Sequence, residues 1–277
     1  MGYMKPFSDI FCVVMPFLYA ALALIYGLTF FRGNQSLERL RFPLLLTTVI
    51  LHLFYLTARG IMLDHPPITS VFEIMSLLAA SIAIAYMYIE WRTHTGNTGA
   101  FILLLAFAFQ TVSSLFIRDV ITIPEYLHSL VLGLHVSAAL LGYTGISLSA
   151  VYGFLYLMLY HEIKSTRFGL IYSRLPSLEM LETMCNRSEV FGFAMLSVAI
   201  GVGLLWLPQA FDEFSYWDPK LVGTLVIWLL YAIALGAKRG LGWQGRKTIV
   251  ISLIAFGCMF LSMTVINLYM SGFHSFH

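Results

Sequence analysis

The sequence predicts an all-α polytopic membrane protein, a bundle of about eight transmembrane helices with both termini on the outer side. Three observations predict it. Hydrophobic residues make up 59% of the chain and charged residues only 11%; mean hydropathy is +0.83; and apolar runs of about twenty residues recur along its length. Soluble domains carry far more charge, so the bilayer is the expected solvent. A formal net charge of +2 offers no footprint for nucleic acid. No repeat, linker or low-complexity tract interrupts the pattern, and residues 1–277 read as a single integral membrane domain.

The eight runs lie at about 10–31, 42–62, 71–90, 99–117, 128–160, 189–208, 221–237 and 248–270. A helix of about twenty residues rises about 30 Å, the thickness of the hydrocarbon core. The run at 128–160 exceeds one crossing and is expected to project beyond the membrane. The first run reads as a retained span rather than a signal peptide. It is longer than a signal h-region, and Arg32, Arg39 and Arg41 follow it instead of preceding it. Cys12, Cys185 and Cys258 stand far apart without a CxxC and read as small apolar residues in or beside spans.

Orientation follows from loop charge, because Lys and Arg resist translocation. With the amino terminus outside, the inner connections hold twelve of the sixteen Lys and Arg. Lys5, Arg59, Arg118 and Lys220 remain at or near the outer side. The largest inner connection, His161 to Ser188, is too short for a domain.

This topology sorts the eight histidines. His65 falls in the first outer loop, His128 and His135 near the outer end of the fifth span, and His274 and His277 just past the eighth. His94 and His161 lie at the inner edge, where a solvated loop residue is the simplest reading. His52 alone is mid-membrane. An ionisable side chain there is a functional candidate by default, and a neutral imidazole bonded to a neighbouring helix is the alternative. The outer loop from Phe211 to Lys220 is densely aromatic. Its plainest reading is an interfacial belt, with Asp218 as N-cap and Pro219 opening the seventh span. That reading leaves unexplained why His135 and His274 reach the same face. A porphyrin needs apolar or aromatic surface for its plane and neutral imidazoles for its iron, and this outer inventory holds both.

Four segments then carry a family resemblance. Leu51-His52 to Arg59, followed by Asp64-His65-Pro66-Pro67-Ile68-Thr69-Ser70-Val71-Phe72-Glu73, is the first. Leu134-His135-Val136 with Leu141-Gly142-Tyr143 is the second. Ser215-Tyr216-Trp217-Asp218-Pro219-Lys220, with Trp228 and Tyr231 after it, is the third, and Asn267-Leu268 to Ser271-Gly272-Phe273-His274-Ser275-Phe276 is the fourth. In order and spacing from about residue 45 onward, the chain resembles the cytochrome c assembly family, the CcsA or ResC branch of system II cytochrome c maturation. The resemblance implies that His135 and His274 are the two axial ligands of an outer haem b, with Tyr216, Trp217 and Asp218 as its platform. It implies presentation of that haem to the CxxCH thiols of an apocytochrome c, alongside a ResB/CcsB-like membrane partner. The activity implied is that of a component of a holocytochrome c synthase, in a bacterial cytoplasmic membrane. His65 belongs to the same outer stretch, and His52 would serve an inner haem site. Charge and topology add Arg59, Arg118 and Lys220 as groups for the propionates.

The departures point elsewhere as well. Where the family has a second membrane histidine, this chain has Ala234-Leu235-Gly236, and glycine cannot ligate iron. Leu175-Pro176-Ser177-Leu178-Glu179 resembles a segment of HemX-like relatives. These share the eight-span plan and are associated with control of early haem synthesis, so a HemX-like membrane regulator is the alternative expectation. An ion or solute transporter is a third, less favoured because no paired acidic residues lie mid-membrane.

Overall fold

The computed structural model describes residues 4–119, 129–166, 168–210, 215, 217–243 and 245–262. Among them it is helical throughout: α1 (Met4–Arg32), α2 (Gln35–Leu63), α3 (Val71–Thr93), α4 (Gly99–Phe116), α5 (Leu130–Lys164), α6 (Leu170–Arg174), α7 (Leu178–Ala210), α8 (Pro219–Gly240) and α9 (Arg246–Leu261). Seven of these, all but α6 and α9, are long and apolar enough to cross a membrane. The eighth expected span begins in α9, and its continuation past Ser262 lies outside the described residues. The chain is a polytopic helical bundle, as its hydropathy predicts.

Local chemistry fixes the helix ends. Gly33 takes φ +66°, which lets the chain turn between α1 and α2. The Asn34 side chain then accepts from the Ser36 and Leu37 amides at the start of α2. Ser70 caps α3 by accepting from the Glu73 amide at 3.2 Å. The spacing is that of a capping box, yet the Glu73 carboxylate turns instead to the Thr69 amide and hydroxyl, at 2.9 and 2.8 Å. One boundary differs from expectation. The segment 178–188 reads as inner loop but is the first third of α7. Its charges mask an i, i+4 stripe, Leu181, Cys185 and Glu189, that is buried inside the protein.

The helices form two compact units: 1–123 with 173–175, and 124–172 with 176–277. In the first, α1 packs on α2 and α4, and α3 on α2 and α4, around Met15, Tyr55, Leu56 and Ala80. Arg174 closes one end of it by donating to the Thr29 carbonyl at 3.0 Å, which also accepts from the Gly33 amide, and to the Phe30 carbonyl at the end of α1.

In the second unit, α5 and α7 form the most extensive helix pair. They approach through glycine. A methyl group at Gly145 would stand 2.8 Å from the Gly192 Cα, and one at Gly192 would stand 2.8 Å from the Ile146 nitrogen. Lipid gives helices no hydrophobic reason to associate, so close backbone packing at small residues takes over that work. Around this contact Ile146, Leu196, Ile227, Tyr231, Ala255 and Met259 make one buried cluster. The Trp228 indole docks α8 on α7, donating to Ser197 Oγ at 2.8 Å and stacking on Phe193. Ser252 docks α9 by donating to the buried Glu189 carboxylate at 2.6 Å.

Because backbone atoms, not flexible side chains, face Gly145, overpacking there has no easy relief. Gly145→Val is expected to lower stability by about 1–3 kcal/mol, read as thermal unfolding in detergent. Gly236→Ala, with nothing within 4 Å of the added carbon, is expected to be neutral. Equal effects of the two changes would contradict this packing.

Candidate functional site

His135 lies in the second turn of α5 and faces α7. Its Nδ1 is 2.8 Å from the Ala199 carbonyl oxygen. A carbonyl only accepts, so Nδ1 carries the proton, and in a neutral imidazole Nε2 then carries the in-plane lone pair. Histidines that bind metals are commonly oriented this way, with the far nitrogen donating to a carbonyl. One helical turn beyond Ala199, Gly203 makes room for the ring. A methyl group there would stand 3.0 Å from both His135 Cε1 and Nδ1. The imidazole therefore sits in a notch cut by a small residue, steered by the carbonyl above it.

The notch opens into a recess of about 80 Å³ lined by His135, Leu196, Leu204, Leu207, Leu221 and Thr224, among others. Leu221 and Thr224 belong to the first turns of α8, so the recess runs from His135 to the helix that follows the aromatic loop. There Asp218 is buried and its carbonyl accepts from the Val222 amide at 3.0 Å. Pro219 opens α8 where a missing N–H costs nothing, as the sequence predicts. Trp217 is 86% exposed, its indole standing clear of the protein surface. Lys220 is in the first turn of α8. His274, the other expected iron ligand, and Tyr216 of the platform lie outside the described residues.

The donor chemistry at His135 fits a haem axial ligand. The recess does not enclose a macrocycle, since pockets that engulf drug-sized ligands run to about 300–1,000 Å³.

His52 has a different environment. It is fully buried in the first unit, in a chain of hydrogen bonds that crosses all four of its long helices. The Tyr19 hydroxyl (α1) lies 2.8 Å from Nδ1, and Nε2 lies 3.0 Å from Ser76 Oγ (α3). Ser76 donates its only proton to Gln110 Oε1 (α4) at 3.0 Å, and Gln110 Nε2 donates to Ser114 Oγ at 3.0 Å. Ser76 must then accept from Nε2–H, and Nδ1 accepts from Tyr19. Both ring nitrogens are therefore hydrogen-bonded within this network.

Arg59 is also engaged. Its Nε donates to Glu73 Oε1, its Nη1 to Asp119 Oδ1 and its Nη2 to the Arg118 carbonyl, each at 2.9 Å. Arg59 and Glu73 are buried, and the pair ties α2 to α3 and to the segment after α4. Arg118 is exposed. His65 is buried, with Nδ1 2.9 Å from the Pro66 carbonyl, the same proton placement as at His135.

Sequence reasoning missed Ala199 and Gly203, the seat of His135, and also Tyr19, Ser76 and Gln110. The latter three had a signal. Each is a polar residue inside an apolar run, and in lipid such residues find partners across helices. The former two had none, because a small residue among many in α7 does not advertise what rests on it.

Fold and site together define an integral membrane protein that offers an oriented imidazole and an exposed tryptophan, Trp217, from one helical unit. Residues 13–274 match the Cytochrome C assembly protein family, and the chain belongs to that family. It is similar to the cytochrome c biogenesis protein CcsA of Trieres chinensis, 25% identical over 94% of this chain and 93% of the relative. It is also similar to protein HemX of Brevibacillus brevis, 28% identical over 79% and 81%, and to CcsA of Prochlorococcus marinus strain NATL1A, 24% identical over 94% and 91%.

The network around His52 predicts a stability role. Tyr19→Phe removes one hydroxyl and leaves the buried Nδ1 without its donor, so a loss of about 1–3 kcal/mol is expected, read by thermal unfolding in detergent. No change in unfolding would contradict the network.

Proposed function

We propose that this chain is a membrane haem-handling component of cytochrome c maturation. In this reading it holds haem b at its outer face through His135 and His274 and presents it to the CxxCH thiols of an apocytochrome c. The observation that carries the reading is the hydrogen bond from His135 Nδ1–H to the Ala199 carbonyl, which turns the lone pair of Nε2 away from α7. Family membership and the CcsA relatives support a role in cytochrome c biogenesis.

Haem, when bound, supplies an iron that takes imidazole axially and vinyl groups that accept thiols. The rest falls to the chain. Gly203 and Ala199 orient the ring; Leu196, Leu204 and Leu221 keep water from its buried side. Trp217 offers an exposed aromatic face, and Asp218 anchors that loop by opening α8. A recess of about 80 Å³ suits a cargo held at the surface, where a second protein can reach it, better than one enclosed. Lys220 is the proposed partner of a propionate, Arg59 being paired already. His65 is a further candidate imidazole on the same tautomer argument, and His52 acts as a structural hub. A ResB/CcsB-like membrane partner and a bacterial cytoplasmic membrane complete the proposal.

A HemX-like regulator of haem synthesis is the second reading. It is favoured by Gly236, where a membrane ligand would otherwise stand, and by the engagement of both His52 nitrogens. A deletion strain with normal cytochromes c and altered levels of an early haem-synthesis enzyme would select it.

The direct test is the absorption spectrum of the purified protein. Wild type is expected to show a Soret band and His135→Ala to lose most of it, with loss of cytochrome c formation. Gly203→Val keeps the ligand but fills its seat, and should weaken haem binding by roughly 10-fold or more, as removal of outer-shell support does. His135→Ala that retains both haem and cytochrome c formation overturns the proposal.

A further inference from the structure

A basic recess lies at the opposite end of α5 from His135, where charge bias places the inner membrane surface. It is independent of the haem reading. Two adjoining hollows, of about 480 and 550 Å³, share Tyr160 and Arg246. The first also takes in His161 and Lys164 at the end of α5, and the second Lys247 at the start of α9. These three basic side chains, with Arg246 the fourth, come from two neighbouring helices of one unit: the chain brings residues more than eighty positions apart in sequence into one cationic rim.

Among the described residues, Lys164 and Arg246 pair with no carboxylate. The one carboxylate in the lining, Glu182, already accepts from the Gly245 amide at 2.8 Å and lies 3.8 Å from Lys238 Nζ. Glu162, the nearest acid on α5, accepts from the Gly169 and Tyr172 amides. Lys247 rests over the Trp243 ring at 5.7 Å. Beneath the rim, Tyr156 and Tyr160 stack with centroids 6.2 Å apart and planes within 12°. The wall toward the span is apolar, formed by Leu157 and by the exposed Val250.

Cations at a membrane edge, aromatic rings at headgroup depth and an aliphatic wall running into the span match one ligand chemistry. We propose that this recess binds an anionic phospholipid, its phosphate on Lys164 and Arg246 and its acyl chains along Leu157 and Val250. Basic pockets between helices on the inner side recognise such headgroups, each cation near the surface contributing about fivefold in affinity. A soluble phosphate would use the cations but leave the aliphatic wall idle, which is why the lipid is favoured.

The test titrates the full chain in detergent with dioleoylphosphatidylglycerol or dioleoylphosphatidylcholine and counts bound lipid by native mass spectrometry. Wild type is expected to prefer the anionic lipid. Lys164→Gln and Arg246→Gln should each lower that preference about fivefold. Arg239→Gln, at the same membrane edge but outside the recess, should leave it intact. Equal binding of the two lipids by wild type overturns the proposal without need of any variant. So does an equal loss on Arg239→Gln, which would mean diffuse surface charge, and so does displacement of the lipid by millimolar inorganic phosphate, which would mean a soluble ligand.

Discussion

The close contact of α5 with α7 is the constraint on which the second unit depends. Gly145 and Gly192 bring the two backbones together at a distance no side chain permits. That approach sets where the rest of each helix runs. Seven and eleven residues beyond Gly192, at two and three helical turns, Ala199 and Gly203 meet His135. A bulkier contact at the glycines would move α7 away, and the carbonyl that orients the imidazole would go with it. In lipid there is no water to repair such a loss, so the geometry of a polar contact is inherited from the packing of apolar helices.

The two buried-helix histidines show how environment decides chemistry. His52 is held by side chains on both nitrogens, and those side chains come from helices on either side, so the ring is spent on joining α1, α2, α3 and α4. His135 instead gives its Nδ1 proton to a backbone carbonyl of α7. A carbonyl has a fixed direction and no proton to give, so it settles the tautomer where a hydroxyl would leave it open. The same residue type is thereby a brace between helices in one unit and, in the other, a ring whose tautomer the backbone sets. Arg59 follows the first pattern. Buried beside Glu73 and Asp119, it closes the outer end of the first unit, and removing either partner would leave a charge in a dry site.

Much of this was legible in sequence. Hydropathy located seven of the spans, most of their ends falling within a few residues of the helix ends, because bilayer thickness dictates their length. Asp218 and Pro219 were read correctly as the start of α8, because capping chemistry is local. The start of α7 was not legible. Charges at Glu179, Glu182 and Arg187 resemble a loop to any window of hydropathy, and only the buried stripe of Leu181 and Cys185 reveals the helix. Residue identity pointed to His135 but not to its seat, since Ala199 and Gly203 matter for the atoms they lack. Arg59 was placed near the outer side, yet its acidic partners are fourteen and sixty residues away and become neighbours only through tertiary packing.

The protein itself sets His135 with its proton on Nδ1 and its lone pair on Nε2. Nitrogen NMR of ¹⁵N-histidine-labelled protein without haem, assigned by comparison with His135→Ala, reads this directly. The account predicts a protonated Nδ1, hydrogen-bonded to the Ala199 carbonyl, and an unprotonated Nε2. A proton on Nε2 with a bare Nδ1, or a ring protonated on both nitrogens at neutral pH, would contradict it.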